Sequence, residues 1–123
     1  MKLRIAAGLL LVGAPLASAA AMPVATFLAK ADKLQSKGPL AMFSGDMKLL
    51  RNTIKADGAA LRAERAAAQA AGRRPAYCPP GPIKMGVKEV ISAMQAVPTA
   101  QRARTDTKDA LRAYFARRFP CKA

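Results

Sequence analysis

The chain has 123 residues, no histidine, and a formal net charge of +14. Lack of histidine excludes Ser-His-Asp and Cys-His catalytic arrangements, the usual zinc sites, and haem attachment through Cys-x-x-Cys-His. The length allows one small domain with a modest core, for which a covalent staple would be useful.

The N-terminus reads as a secretory signal peptide over residues 1–21. Met1-Lys2-Leu3-Arg4 is a basic n-region, and Ile5 to Leu11 with Val12 forms an apolar h-region. Pro15 breaks that run, and Ala17-Ser18-Ala19-Ala20-Ala21 offers small residues to a signal peptidase, with the cut after Ala19, Ala20 or Ala21. The apolar run falls short of the roughly 20 residues that a bilayer span needs. A periplasmic protein without a transmembrane segment is therefore expected, with residues 22–123 as its one domain.

The first helix is predicted over Pro23 to Lys37. Phe27, Leu28, Ala31 and Leu34 form its apolar face, and Gly38-Pro39 stops it. Leu40 to Phe43 can add a turn of helix before Ser44-Gly45-Asp46 opens the second. That helix runs to about Ala71, with Met47, Leu50, Ile54, Leu61 and Ala68 in near-heptad register. Gly58 costs about 1 kcal/mol there relative to alanine, so a close helix contact or a bend is expected around it. The alanine-rich tail from Arg62 should be helical and shallowly packed, and Gly72-Arg73-Arg74-Pro75 ends it.

Pro75, Pro79, Pro80, Gly81 and Pro82 hold Cys78 in a stiff loop. The third helix is expected over Lys84 to Ala96, with Val87, Val90, Ile91 and Met94 on one face, and Pro98 terminates it. Thr99 to Arg104 is a connector able to form a helical turn. Thr105 or Thr107 is expected to cap the fourth helix, and Phe119-Pro120 to end it. Asp106 and Asp109 near its start and Arg117 and Arg118 near its end suit the helix dipole. No strand-like alternation or internal repeat is present, so the fold class is all-α: a small four- to five-helix bundle.

Cys78 and Cys121 are the two cysteines, each in a proline-marked turn. In an exported chain they allow one intramolecular disulfide, with an intermolecular bridge or two free thiols as the alternatives. Such a bond would clamp the end of the last helix onto the loop before the third.

No cofactor is expected, because phosphate-loop glycines and clustered oxygens for Mg²⁺ or Ca²⁺ are missing from the sequence. An enzyme is not expected either. Asp106 and Asp109, the one spacing that resembles a paired acid, are better read as partners of the helix dipole. Losing Lys2 and Arg4 with the signal leaves a net charge of +12. The basic domain suits an acidic partner or an anionic polymer, whereas export argues against nucleic acid. Tyr77 and Tyr114 are candidate partner-binding aromatics, alongside the pairs Arg73-Arg74 and Arg117-Arg118. Phe27, Phe43, Phe115 and Phe119 are assigned to the core. If the disulfide forms, four guanidinium groups converge on one end of the bundle.

The succession of motifs resembles a known family. Phe27-Leu28 lies on a first helix, and Ala41 to Asp46 (Ala-Met-Phe-Ser-Gly-Asp) leads into a long second one. Tyr77-Cys78-Pro79-Pro80, a third helix with Glu89, Pro98 with Arg102, Asp109-Ala110-Leu111, and terminal Phe119-Pro120-Cys121 follow. This resembles the Rap/Tai immunity proteins that accompany type VI secretion amidase effectors. The resemblance implies a periplasmic protein, often a homodimer, that binds a peptidoglycan amidase and occludes its active site. Residue by residue it transfers only Cys78 and Cys121, as a disulfide. Two other readings stand beside it: a basic envelope protein that binds anionic polymers or lipid headgroups, and a periplasmic stress chaperone. The last would need many carboxylates as an acid trigger, and the chain has seven acids in all.

Overall fold

Pro23 sets the start of the first helix. Its extended backbone makes it the N-cap, and α1 runs over Val24–Lys37. No side chain caps this end. Instead the Val24 and Ala25 N–H groups donate to the carbonyls of Thr105 (2.8 Å) and Arg102 (2.9 Å), and the Thr107 N–H donates back to the Met22 carbonyl (2.9 Å). Two of the orphan donors of the helix start are thus satisfied by the connector that precedes the last helix. The structure, a computed structural model, describes residues 21–122. The signal-peptide reading of residues 1–21 falls almost wholly outside the described residues.

Gly38, at φ 57°, releases the chain from α1 into a 3-10 helix over Gly38–Phe43. The Ser44 hydroxyl then accepts from the Asp46 N–H and caps α2, Gly45–Ala70. At ~1.5 Å per residue, this helix is about 39 Å long. It ends in a Schellman motif, with the Arg73 N–H bonded to the Ala68 carbonyl and the Gly72 N–H to that of Gln69. Gly72, at φ 67°, takes the left-handed position that this motif requires.

The close helix contact expected at Gly58 is not found. The helix continues through it, and no other helix approaches its Cβ position, where the nearest group is the Arg62 guanidinium at 3.5 Å.

The third helix is shorter than its periodicity suggested. Residues 84–86 lie outside the helix, Gly86 is its extended N-cap, and α3 covers only Val87–Gln95. Val87 is consequently an end residue, 75% exposed, although Val90, Ala93 and Met94 turn inward. Arg102 closes the far end, with Nε donating to the Val97 carbonyl (2.9 Å) and Nη2 to that of Gln95 (3.0 Å). A guanidinium on the last carbonyls of a helix also suits the negative end of its dipole.

After a 3-10 turn at Thr99–Gln101, α4 spans Thr107–Arg118. Its N-cap is Asp106, without a side-chain cap bond, rather than either threonine. Thr105 Oγ1 donates backward to the Gln101 carbonyl. Thr107, 1% exposed, donates across the bundle to Asp57 Oδ2 on α2 at 2.6 Å.

The helices pack as a ring in the order α1, α2, α4, α3, with α2 and α3 facing each other across it and hardly touching. The core inside is small, built on Val24, Phe27, Leu61, Met94, Leu111 and Phe115. Outside the core, Glu64 of α2 receives two bonds from Arg112 of α4, at 3.0 and 2.8 Å, and lies 3.3 Å from Lys108. Arg112 also donates to Asp109 at 2.7 Å. These pairs hold the alanine-rich half of α2, which has few large side chains to bury, against α4.

The disulfide Cys78–Cys121 is formed. Beside it, the Cys78 N–H donates to the Phe119 carbonyl at 2.8 Å. The architecture is the small all-α bundle, stapled once, that the sequence predicts.

Candidate functional site: an apolar cleft with a basic wall

The staple decides where Tyr77 goes. Read as an exposed partner-binding aromatic, Tyr77 is in fact 2% exposed. The disulfide draws its loop onto α4, and the ring packs 5.2 Å from that of Phe115. Phe115 in turn contacts Tyr114 (5.9 Å) and Phe119 (6.3 Å). On the other side, the Arg65 guanidinium lies 5.2 Å from the Tyr77 ring centre, a cation–π arrangement. Burial pushes the Tyr77 hydroxyl above its ordinary pKa.

The remaining predicted site residues are divided. Arg73 and Arg74 are exposed just after α2, and an Arg74 guanidinium nitrogen donates to the Cys121 carbonyl. Arg118 lies 3.3 Å from the Tyr114 hydroxyl, 3.6 Å from Glu89, and over the Phe119 ring. The Tyr114 hydroxyl reaches Glu89 at 3.4 Å. Cys78 and Cys121 therefore do bring the two arginine pairs to one end of the molecule. Arg74 and Arg118 are engaged there by neighbours, and Arg73 and Arg117 are left as exposed charges.

The larger feature lies elsewhere. Because α3 has 9 residues and α2 has 26, α3 cannot cover the face opposite it, and a cleft opens between the two. One part, about 380 Å³, has a floor of Phe27, Ala31 and Leu34 from α1 and walls that include Leu50 and Ile91. The other, about 300 Å³, reaches toward Tyr77, Leu111 and Phe115. The two parts share Ile54, Met85 and Val90 as common lining, so they are contiguous. At these dimensions each matches the size of a small ligand or a few side chains.

The segment that contributes Ala41 to the first part carries apolar surface that the fold does not cover. In the 3-10 helix, Leu40, Met42 and Phe43 are 70%, 78% and 89% exposed, while Ala41 between them is buried and lines the cleft. Phe43 is thus a correction to the sequence reading, which placed it in the core. A 3-10 turn of six residues has one inward direction, and Ala41 takes it.

Electrostatics separate the two walls. Arg51 lines the first part and Lys55, Arg62 and Arg65 line the second, all from α2, and neither lining includes an Asp or Glu. The sequence analysis did not single out these cations, and only the helical spacing of positions 51, 55, 62 and 65 hints at a single stripe. The nearby carboxylates are spent. Glu64 is held below the usual carboxylate range chiefly by the Arg112 hydrogen bond. Asp57, pushed up by burial, is bonded to Thr107.

Among the described residues, no group of three or more His, Cys, Asp or Glu could hold a metal ion, and no helix is long and apolar enough to cross a membrane. The chain matches no protein-family model, no curated protein and no solved structure.

Proposed function

We propose that this is an exported, non-catalytic binding protein of the immunity type, which captures a peptidoglycan amidase delivered by type VI secretion and occludes it. The observation that carries the binding role is the apolar cleft together with its uncovered shoulder of Leu40, Met42 and Phe43. Exposed large side chains grouped beside a groove are the usual mark of a protein interaction surface. The rigid frame behind them lowers the ordering cost of association. The amidase as partner is supported by the sequence resemblance, including the two cysteine positions.

The test uses the oxidised protein as bait against the envelope and secreted proteins of its own source, at low and at moderate salt. One peptidoglycan amidase retained at moderate salt, inhibited stoichiometrically, and released by Phe43→Ala with Met42→Ala is the expected result. Polyanions that elute with salt, and no retained amidase, would overturn the proposal in favour of a basic envelope protein.

A further inference from the structure

The four cations of the cleft share one helix. Arg51, Lys55, Arg62 and Arg65 stand at i, i+4, i+11 and i+14 on α2, so they form a stripe ~21 Å long at the helical rise. Gly58 falls in the gap between the second and third, where the absence of a side chain leaves the wall low. Apolar side chains of α1, α3 and α4 face this stripe across the cleft.

One member is incompletely satisfied by the protein itself. Arg65 Nε is buried and has no hydrogen-bond partner among the described residues, although its guanidinium is stacked on Tyr77. A buried charged donor without an acceptor is costly. Nε itself is closed to solvent, so an acceptor from outside would meet the part of the Arg65 guanidinium that lines the cleft. Among the described residues, no carboxylate lines the cleft to serve. Arg51, Lys55 and Arg62 are exposed, and none has an ion-pair partner among the described residues.

From this we infer that the cleft receives an acidic amphipathic segment of a partner protein. Its apolar side chains fill the space over Phe27, Leu34 and Val90, and its carboxylates lie along the α2 stripe, one of them on Arg65. The inference rests on the binding role proposed above and specifies the chemistry of the bound segment. Charge complementarity selects this occupant: a second copy of the chain would bring more cations to a basic wall, and a bare polyanion would leave the apolar wall unused.

The test is selection from a displayed library of random 16-residue peptides against the oxidised protein at about physiological salt. Enriched sequences should combine apolar residues with at least two carboxylates. Their affinity should fall tenfold or more for Lys55→Glu and for Arg62→Glu. Both positions are exposed, so these variants should keep the helical circular dichroism and thermal midpoint of the parent. Replacing the peptide's acids by lysine should restore binding to the charge-reversed variants. Enrichment of peptides without acids, or affinity indifferent to both reversals, would overturn the inference. So would poly-glutamate binding as tightly as the selected peptides, since charge alone would then suffice. The two proposals fail separately. An amidase whose capture ignores Arg62→Glu removes this inference and leaves the immunity role. Acid-bearing peptides selected when no amidase is captured leave this inference and remove the amidase.

Discussion

Removal of the disulfide by Cys78→Ala with Cys121→Ala should cost about 4 kcal/mol. The bond closes a loop with a sequence separation of 43. In the chain-entropy account, a loop of that size restricts the unfolded chain by ~13 cal/mol/K, hence about 4 kcal/mol at 25 °C. A domain of this size has about 5–15 kcal/mol in total. The loss is therefore a large share, equivalent to a drop of roughly 15–30 °C in Tm. Urea titration followed by circular dichroism measures it, on the double variant and on reduced wild-type protein. Both should show the same loss, because the effect lies in the unfolded chain rather than in sulfur packing. The slope of stability against urea should also steepen, since the unbridged unfolded state exposes more surface. A loss under about 1 kcal/mol, with an unchanged slope, would refute the reasoning. It would mean that the Cys78–Phe119 backbone bond and the Tyr77–Phe115 contact hold the loop without the bridge.

Four further outcomes are expected. Thr107→Val should destabilise by about 1–3 kcal/mol, because the partly buried Asp57 carboxylate loses its hydroxyl donor, as equilibrium unfolding would measure. Burial raises the folded pKa of Asp57 above 3.8, so its contribution is complete below that pH and is lost as pH rises through the folded value. Asp57→Asn should therefore gain stability relative to wild type between pH 3.5 and 7, and an equal offset at both pH values would contradict this. Glu64 has the opposite sign: its folded pKa is lowered from 4.5, so its stabilisation is present above that value and is lost as pH falls. Glu64→Gln should flatten the acid limb of urea midpoints measured from pH 6 down to 3, and an unchanged limb would show that the Arg112 pair contributes nothing. Gly58→Ala should raise stability by up to about 1 kcal/mol, since the added methyl meets only the flexible end of Arg62 at ordinary contact distance. A loss instead, in the same titration, would reveal packing at that position.

What was legible in the sequence is what local chemistry determines. Gly38-Pro39, Ser44 and Gly72 mark helix ends because each supplies a backbone or side-chain property that the terminus needs, and the structure uses all three. Phe27, Ala31 and Leu34 recur on one face and are buried. Failures occur where a residue's fate depends on a distant part of the chain. Val87 shares a helical face with Val90 and Met94, yet α3 begins with it and nothing lies opposite. Thr107 has the chemistry of a cap and is diverted by Asp57, fifty residues away. Phe43 is apolar, but the direction of a 3-10 turn is not written in its periodicity. A signal did exist there: Leu40-Ala41-Met42-Phe43 stands between two turn sequences, more apolar surface than so short a segment can bury.

Tyr77 joins these levels. In sequence it sits among prolines in a polar, charged stretch, the setting of a surface aromatic. The Cys78–Cys121 bond fixes its neighbour to the end of α4, and that places the ring between Phe115 and Arg65. The same loop continues through Ile83 and Met85, which line the cleft. One covalent bond thus fixes a core aromatic, orients a cation of the basic stripe through that aromatic, and positions part of the apolar lining. Local sequence rules describe each residue alone, so they assign Tyr77 to the surface and do not single out Arg65. The bond couples them, and the candidate site arises from that coupling rather than from any motif in the chain.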